Sequence, residues 1–584
     1  MEESFGISEY VALDDKTPIP CLLKEMYSDF TVQEVLADGS VLPFQSSSDI
    51  NSTIQEEKDQ ENDDSVEPPS FINEEILKEL DERSKEPGKP VVIPVKGLEK
   101  EDRKNVHVFI RTRYTGKLIS EMKEKDGETN IVVNYGLAGK NLKRKRWDEN
   151  TPSEVHFTMA KENKETAYAL GIVSRFLNVP SSALKTHGIK DKRAVTTQRV
   201  SVRRIHKQQI LSINSKLRDI LVYDVVYTTE GIKMGGHWGN RFSIVLRNID
   251  QSHKGILSKR LSTFEKDGFV NYFGTQRFGS FGNGTGTADV GRLILQRQWQ
   301  KAVTAILKSC VSDSNVKSHS SYHAVKCFEE TGNARWALKK LRGAQGFATI
   351  EGMILKCLSS GGTYQKAIVD ALPIHQRSLY VHAYQSLLWN HAASRRIQEG
   401  GNKVQPTDTN ANGEVLNESS SVFDIYLPLP GENEKFKEHY ASRWYEEIMT
   451  RDEITNDSFN SLKDRFSLGE ASRRLFEEPK NVEYEFISYS DPRCLLQDGL
   501  VKKAIPQEER TGDLLALRVS FSLRSGCYAT VALRQITAFD MGKNSMKAIS
   551  ETQRTERIKI EEEEKKSQDV ELPVVAEETK EVAA

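Results

Sequence analysis

The chain has 584 residues, of which 37% are hydrophobic and 28% charged, and its formal net charge is −2. This length and composition predict a soluble protein of two packed domains whose core is diluted by polar inserts. Six cysteines without a CxxC pair argue against a zinc site or a disulfide scaffold, and no signal region or run of roughly 18 apolar residues is present. We therefore expect an intracellular protein in the nucleus, the cytoplasm or both.

The first regular pattern in the chain predicts a strand. Residues 1–20 are expected to be flexible, and from Phe30 to Val35 apolar and polar residues alternate after a turn at 28–29. Phe30 is most simply a core residue, although its ring could instead stack on a base. Residues 44–70 are rich in Ser, Asn, Asp, Gln and Glu without periodic apolar positions, which predicts a disordered insert.

Segment 74–150 begins with a predicted helix over 74–86. In the following RKNVHVFIRTRY, Arg103 and His107 are four residues apart, which places both on one face if the segment is helical. This spacing resembles the small single-strand nucleic-acid module named for its Arg-x-x-x-His signature, with an ordinary amphipathic helix as the alternative. The basic run 143–146 is either a nuclear-import signal or a phosphate-binding patch.

Residues 186–202, THGIKDKRAVTTQRVSV, combine a turn with a carboxylate surrounded by cations. A helix predicted to end at Pro180 precedes them, and a strand rich in valine and threonine follows. Gly188 permits a sharp turn around Asp191. Nearby cations favour the ionised carboxylate and attract polyanions; they are Lys190, Lys192 and Arg193. Taken alone, such a pattern is more often a surface hairpin with a solvated Lys–Asp pair.

Two later stretches carry residues suited to a nucleic acid. In 235–248, Phe242 and its alternate neighbours predict a strand, and Asn240 at its start offers a donor and an acceptor that suit the edge of uracil. An Asn in a turn needs no such role. In 268–278, aromatic rings are interleaved with Arg277, which suits either unstacked bases or a buried domain junction. The following GSFGNGTGT matches neither GK[ST] nor GxGxxG, so no nucleotide cofactor is expected.

The remaining stretches predict packing elements. Residues 377–394 predict a helix whose core face is formed by Leu379, Ala383 and Leu387, which recur every four residues. Residues 516–536 contain two strand-like runs around a Ser-Gly pair.

Five motifs, in a fixed order, resemble those of one known family. GxKDxxAxTxQ is matched from Gly188 to Gln198, and NYFGxQRFG is matched in full over 271–279. DFxVxE, GNxF and GxYAT are matched over 29–34, 239–242 and 526–530. Together they resemble the TruD family of pseudouridine synthases, particularly its eukaryotic branch. Family members often have Pro where Arg524 stands, which leaves the local turn conformation open.

The resemblance implies an α+β fold: a pseudouridine synthase catalytic domain with a mostly antiparallel mixed sheet, interrupted by an α/β insertion called the TRUD domain. The implied organisation is a flexible segment 1–20, a first catalytic part 21–272 with inserts 44–70 and 74–150, an insertion 273–495 with a disordered loop 400–420, a second catalytic part 496–546, and a charged, mostly disordered tail 547–584.

The resemblance also implies that uridine in RNA is converted to pseudouridine without a cofactor or a metal. Asp191 is then the nucleophile, which either attacks the ribose C1′ or removes the 2′ proton. By motif position, Phe30 and Tyr528 stack on the base, and Asn240 holds its edge. Lys24 and Lys190 supply positive charge. The other residues expected to contact RNA are Lys192, Arg193, Phe242 and Arg277.

The partner implied by the resemblance is RNA, with transfer RNA first and small nuclear and messenger RNA after it, bound by a monomer. A non-catalytic RNA-binding or RNA-folding protein is the alternative, since it needs every basic and aromatic feature but not Asp191. A zinc-dependent RNA deaminase is discarded because HxE and PCxxC are missing. The sequence does not specify which RNAs and which uridines are modified.

Overall fold

A computed structural model describes residues 2–50, 67–114, 117–125, 128–135, 147, 151–279, 285–309, 321–341, 343–431, 438–469, 471–542, 545 and 549. The chain divides into two compact units. The large unit comprises Met1–Val41, His237–Leu496 and the chain from Ile505 onward, and the small unit comprises Leu42–Gly236 and Gln497–Ala504. No helix within these described residues has the length and apolar character needed to cross a membrane.

Helices and strands are mixed along both units, which confirms the predicted α+β class. The strands are β1 Leu22–Leu23, β2 Phe30–Val35, β3 Val91–Pro94, β4 Leu118–Lys125, β5 Glu128–Tyr135, β6 Glu154–Glu162, β7 Lys185–Thr186, β8 Val195–Arg203, β9 Ile220–Thr228, β10 Gly239–Ile249, β11 Phe269–Val270, β12 Tyr426–Pro428, β13 Ser472–Arg474, β14 Phe476–Glu477, β15 Lys480–Tyr489 and β16 Leu514–Arg524. The α-helices are α1 Glu74–Lys85, α2 Lys100–Arg113, α3 Thr166–Leu177, α4 Lys207–Ser212, α5 Lys254–Asp267, α6 Thr287–Leu295, α7 Trp299–Ser309, α8 Tyr322–Thr331, α9 Ala334–Leu338, α10 Gly343–Phe347, α11 Ile350–Ser359, α12 Tyr364–Val369, α13 Ile374–Gly400, α14 Ser442–Arg451, α15 Asn456–Asn460, α16 Lys463–Phe466 and α17 Ala529–Thr537.

The sheet of the large unit has the strand order β15-β16-β10-β2, with β1 also beside β10, and these neighbours are antiparallel. Phe242, Ile244 and Leu246 of β10 are all buried. Helix α5 covers the sheet, since the ring of Phe264 lies 5.4 Å from that of Phe521 on β16. The predicted insertion 273–495 is mainly helical in its described part, and β15 within it is the strand next to β16.

Two elements of the large unit differ from the sequence-based expectation. The second strand-like run of 516–536 is helix α17, because a short apolar run cannot distinguish a strand from a buried helix. In α13, Ala383 is buried, but Leu379 is 48% exposed and Leu387 is only partly buried. A strict four-residue spacing drifts around a helix of 3.6 residues per turn, and this helix is buried over a broader face.

The small unit contains the sheet β8-β6-β9, with β7 beside β8, and these pairings are antiparallel. Phe157 and Met159 of β6 pack with Val173 of α3 in one hydrophobic cluster. Helix α3 is followed by Asn178 in the left-handed conformation and then by Pro180, as the sequence predicts. The turn between β7 and β8 is the cation-rich stretch.

A second part of the small unit has its own core. Strands β3, β5 and β4 form an antiparallel sheet in that order, and α1 and α2 pack on it. Arg103 and His107 both lie on α2, as predicted. The His107 Nδ1 is 2.7 Å from the Ser120 hydroxyl of β4. The basic run 143–146 lies outside the described residues.

The predicted disordered segments are ordered wherever the structure describes them. Phe44 and Ile50 join a cluster with Leu221 and Leu500, because isolated apolar side chains can anchor a polar segment that has no periodicity. In 400–420, Asp408 is buried and bonded to Arg396 of α13. Residues 51–66 and the tail from 550 onward lie outside the described residues.

Candidate functional site

The turn between β7 and β8 is held from behind by a buried side chain. Gln198 of β8 is fully buried, and its Nε2 donates to the Gly188 carbonyl at 3.3 Å. The Thr186 hydroxyl donates to the same carbonyl at 3.2 Å. The first and last residues of the GxKDxxAxTxQ motif therefore bond to each other, which fixes the turn between them.

Asp191 is exposed at this turn, and a buried lysine holds its backbone. The side chain of Lys161 in β6 is buried, and its Nζ donates to the Asp191 carbonyl at 2.7 Å. Burial lowers the pKa of Lys161 to about 8, although the Asp191 charge opposes that shift. Sequence reasoning missed Lys161; the available signal was a lysine that follows Met159 and Ala160 directly in strand β6.

The structure brings the three predicted cations of the turn together but in different environments. Lys190 is buried, and its backbone amide donates to the Thr166 hydroxyl at 3.1 Å. Lys192 and Arg193 are exposed, and the Lys192 Nζ lies 3.6 Å from a Glu165 carboxylate oxygen. An exposed pair of this kind contributes little to stability, so the rim can exchange it for a phosphate.

In the large unit, Lys24, Phe30 and Phe242 form one cluster. The Lys24 Nζ lies 3.7 Å from the centre of the Phe30 ring, and the Phe30 and Phe242 rings meet edge to face at 6.1 Å. Phe30 is only 3% exposed. Its ring is therefore a core residue capped by a cation, and Lys24 must move before a base can stack on that face.

A buried ion pair supports this cluster. Asp29, next to Phe30, accepts hydrogen bonds from Arg247 of β10 at 2.7 and 2.8 Å, and both side chains are almost fully buried. Burial lowers the pKa of Arg247, but its hydrogen bonds to Asp29 and its interactions with nearby negative groups, Asp29 first, together outweigh burial and raise that pKa above its ordinary value. The pair satisfies Asp29, the first of the two acidic residues of the DFxVxE motif, and sequence reasoning did not identify its partner.

Asn240 and Tyr528 come from two strand ends that are paired. Gly239, at the start of β10, is opposite Arg524, at the end of β16. Asn240 is the next residue of β10 after Gly239. The chain then turns at Gly526, with φ of 88°, and reaches Tyr528 at the start of α17. Arg524, in place of the family's Pro, pairs with Glu477 at 3.3 Å.

Tyr528 belongs to an aromatic cluster built around Arg473. The guanidinium carbon of Arg473 lies 4.1 Å from the Phe273 ring centre and 5.9 Å from that of Tyr528. Arg473 also donates to the carbonyls of Asn271 and Gly526, which ties the NYFGTQRFG stretch to the α17 turn. Sequence reasoning missed Arg473. Arg277 lies four residues after Phe273, on the 3-10 turn Thr275–Arg277.

The predicted site residues thus form sets within each unit. Asp191, Lys190, Lys192 and Arg193 share one turn of the small unit, which supplies an exposed carboxylate among cations. The large unit holds the aromatic residues, the amide and two further cations, namely Phe30, Phe242, Tyr528, Asn240, Lys24 and Arg277. The first set suits attack on an electron-poor carbon, and the second suits a planar base.

Comparisons with known proteins agree on one family. The family model described as tRNA pseudouridine synthase D (TruD) matches residues 137–536. The chain is 51% identical over 582 residues to the Caenorhabditis elegans pseudouridine synthase candidate B0024.11, covering 99% of this chain and 100% of that protein. It is 31% identical over 559 residues to the human pseudouridylate synthase 7 homolog, covering 92% of this chain and 81% of that protein.

A yeast relative and a solved structure extend the likeness. The Schizosaccharomyces pombe multisubstrate pseudouridine synthase 7 is 29% identical over 628 residues, covering 91% of this chain and 90% of that protein. A crystal structure of a TruD protein from Methanosarcina mazei superposes with a TM-score of 0.51 at 19% identity, covering 92% of this chain and 98% of that one. At that identity, the superposition shows the fold.

Proposed function

Because the chain belongs to the TruD family and is a pseudouridine synthase, an isomerase, we propose that it acts on specific uridines of transfer RNA with Asp191 as its nucleophile. The name of the fission-yeast relative, a multisubstrate synthase, supports more than one substrate, and we propose small nuclear and messenger RNA as the further ones. We place the protein in the nucleus, the cytoplasm or both, as a monomer that needs no cofactor.

The reaction exchanges one bond for another within a single nucleotide. The bond between N1 of uracil and C1′ of ribose breaks, the uracil turns, and C5 bonds to C1′. The proton leaves C5 and N1 gains one, so atoms and electrons balance without a redox partner. Asp191, as the anion, either attacks C1′ or removes the 2′ proton, and the proposal accommodates both routes.

The observation that carries the proposal is the construction of the Asp191 turn. Asp191 is exposed, while its backbone carbonyl accepts a hydrogen bond from the buried Lys161 at 2.7 Å. A nucleophile needs a fixed position and access to its substrate, and this arrangement supplies both.

The large unit supplies the proposed contacts to the base. Asn240 holds the uracil edge, Tyr528 and Phe30 offer stacking faces, and Lys24 supplies charge where it now caps Phe30. Phe242 supports Phe30 from the side. Lys192 and Arg193 are assigned to phosphate, and Arg277 is a further contact to the RNA from the large unit.

Asp191→Asn tests the assignment, since it removes the anion and keeps the shape. We expect no detectable pseudouridine in a tritium-release or mass-shift assay, and a dissociation constant for RNA that changes little because the cations remain. Asp219→Asn is the matched control, because Asp219 is an exposed carboxylate of the same unit and Asn tolerates its φ of 57°. Full turnover by Asp191→Asn would instead favour a different nucleophile, and RNA binding without product by the wild type would favour the non-catalytic alternative.

A further inference from the structure

A cavity of about 230 Å³ lies in the large unit between the 3-10 turn Thr275–Arg277 and helix α13. Its wall includes Phe273, Arg277, His382 and Gln385. This volume is below the roughly 300–1,000 Å³ of typical small-molecule sites, so it suits one planar ring better than a dinucleotide or an organic cofactor. None of the predicted roles uses this cavity as a whole.

The cavity combines an aromatic face with polar groups. Arg277 has a buried Nε that makes no hydrogen bond among the described residues. His382 lies close by, and burial together with the Arg277 charge lowers its pKa, so its ring is mainly neutral at pH 7 and Arg277 is the cation of this wall. Phe273 is partly buried and presents an aromatic ring.

The ring of Phe273 connects this cavity with Tyr528. It lies edge to face with Tyr528, at 6.4 Å between centres, and Arg473 covers it at 4.1 Å. Its backbone is fixed on both sides by Asn390, whose amide accepts from the Phe273 N–H and donates to the Phe273 carbonyl. A ligand in the cavity is therefore a close neighbour of whatever contacts Tyr528.

We infer that this cavity binds a second, unstacked base of the RNA, next to the uridine that is modified. Phe273 supplies aromatic surface to the wall against which the base packs, and Arg277 donates to the acceptor edge of the base, as guanidinium groups do to N7 and O6 of guanine. The inference rests on the proposed function, since it takes RNA as the substrate. It assigns the NYFGTQRFG stretch a role in substrate selection beside its role in packing.

The test combines abasic RNA with variants that fill the cavity or remove its positive charge. An RNA with one mapped uridine is synthesised with an abasic residue at each of the three positions on either side. With wild-type protein, we expect one of these positions to lower kcat/KM by about 5- to 150-fold, as loss of one stacked base does. In Arg277→Gln, the same abasic residue should lower kcat/KM by a smaller factor than it does in the wild-type protein, because the guanidinium part of the contact is already removed while Phe273 remains.

Ala471→Phe provides a second variant that leaves Arg277 in place. Ala471 lines the cavity but is exposed, so a larger side chain can fill the space with little effect on folding, which a melting temperature checks. Arg465→Gln is the matched control, because this exposed arginine pairs with Asp370 outside the cavity and should retain the full abasic penalty.

Each outcome decides the inference. A penalty at one position that is reduced in both cavity variants and keeps its full size in Arg465→Gln supports it. An abasic scan without a penalty, or a penalty that is unchanged in folded Arg277→Gln and Ala471→Phe, overturns it. If the wild-type protein forms no pseudouridine in any RNA, the proposed function fails instead, and the two failures are distinguished by that first measurement.

Discussion

Each unit contains a buried cation beside its predicted site residues, and the two cations are held differently. In the large unit, Arg247 is bonded to the Asp29 carboxylate, which keeps its pKa above the ordinary value. In the small unit, Lys161 donates to a backbone carbonyl, and burial lowers its pKa to about 8. We therefore expect the cation that is paired with a buried carboxylate to support the fold, and the cation that is bonded to the backbone of the exposed Asp191 to support the chemistry proposed for that residue.

The largest expected effect comes from breaking the paired cation. Arg247→Met leaves Asp29 buried without its partner, so we expect the free energy of unfolding to fall by roughly 3–5 kcal/mol. Urea denaturation measures this change. We also expect pseudouridine formation to be restored at low temperature, where the variant is folded. A folded but inactive variant would show that Arg247 contributes to chemistry and would break the comparison.

In contrast to Arg247→Met, Lys161→Met should lower the rate of the reaction and not mainly the stability of the fold. We expect kcat to fall on the order of 100-fold, as when one preorganised electrostatic contact is lost, while the dissociation constant for RNA changes little. Single-turnover rates and filter binding measure the two quantities. Lys164→Met is the matched control, since that lysine pairs with the exposed Asp219 at 2.9 Å. Equal rates for the two variants would remove Lys161 from the mechanism.

The depressed pKa of Lys161 gives this comparison a pH signature. Between pH 8 and the ordinary lysine range, the unfolded chain binds a proton that the folded chain does not, so the contribution of Lys161 to the free energy of unfolding rises with pH. Turnover should fall over the same interval because the positive charge beside Asp191 is lost. Activity and stability therefore diverge above about pH 8 in the wild type, and this divergence should be absent from Lys161→Met.

The next effect is expected at Tyr528. If its ring stacks on the uracil, Tyr528→Ala should lose roughly 1–3 kcal/mol of base stabilisation, while Tyr528→Phe keeps the π-face and should be nearly unchanged. If Tyr528 only packs against Phe273, alanine should lower the melting temperature and reduce the rate only through unfolding. Melting temperature and single-turnover rate, measured together, separate the two. A folded and fully active alanine variant would exclude stacking.

Local motifs were readable from the sequence, but their supports were not. The GxKDxxAxTxQ spacing identified the turn, because each motif residue lies within a few positions of Asp191. Lys161 and Arg473 were missed because they reach their partners across 30 and more than 50 residues of chain, through pairing between strands and packing between elements. Composition also misjudged the start of 44–70, where Ile50 is buried despite its polar neighbours. The roles proposed for the site residues stay predictions.

The smallest expected effect concerns the two exposed cations of the turn and sharpens the electrostatic side of the comparison. For single-stranded RNA, each phosphate contact contributes about 0.7 to the slope of log affinity against log salt. Arg193→Gln should reduce the slope by about that amount if Arg193 contacts one phosphate. Lys192→Gln should reduce it by less, because the Glu165 carboxylate, 3.6 Å from the Lys192 ammonium, already competes with the phosphate.

Glu165→Gln should then increase the affinity for RNA at low salt in the presence of Lys192 and leave that affinity unchanged in Lys192→Gln. Salt titrations of the four variants measure these slopes, and equal slopes for wild type and Arg193→Gln would remove the turn from the phosphate-binding surface while leaving Asp191 as the proposed nucleophile.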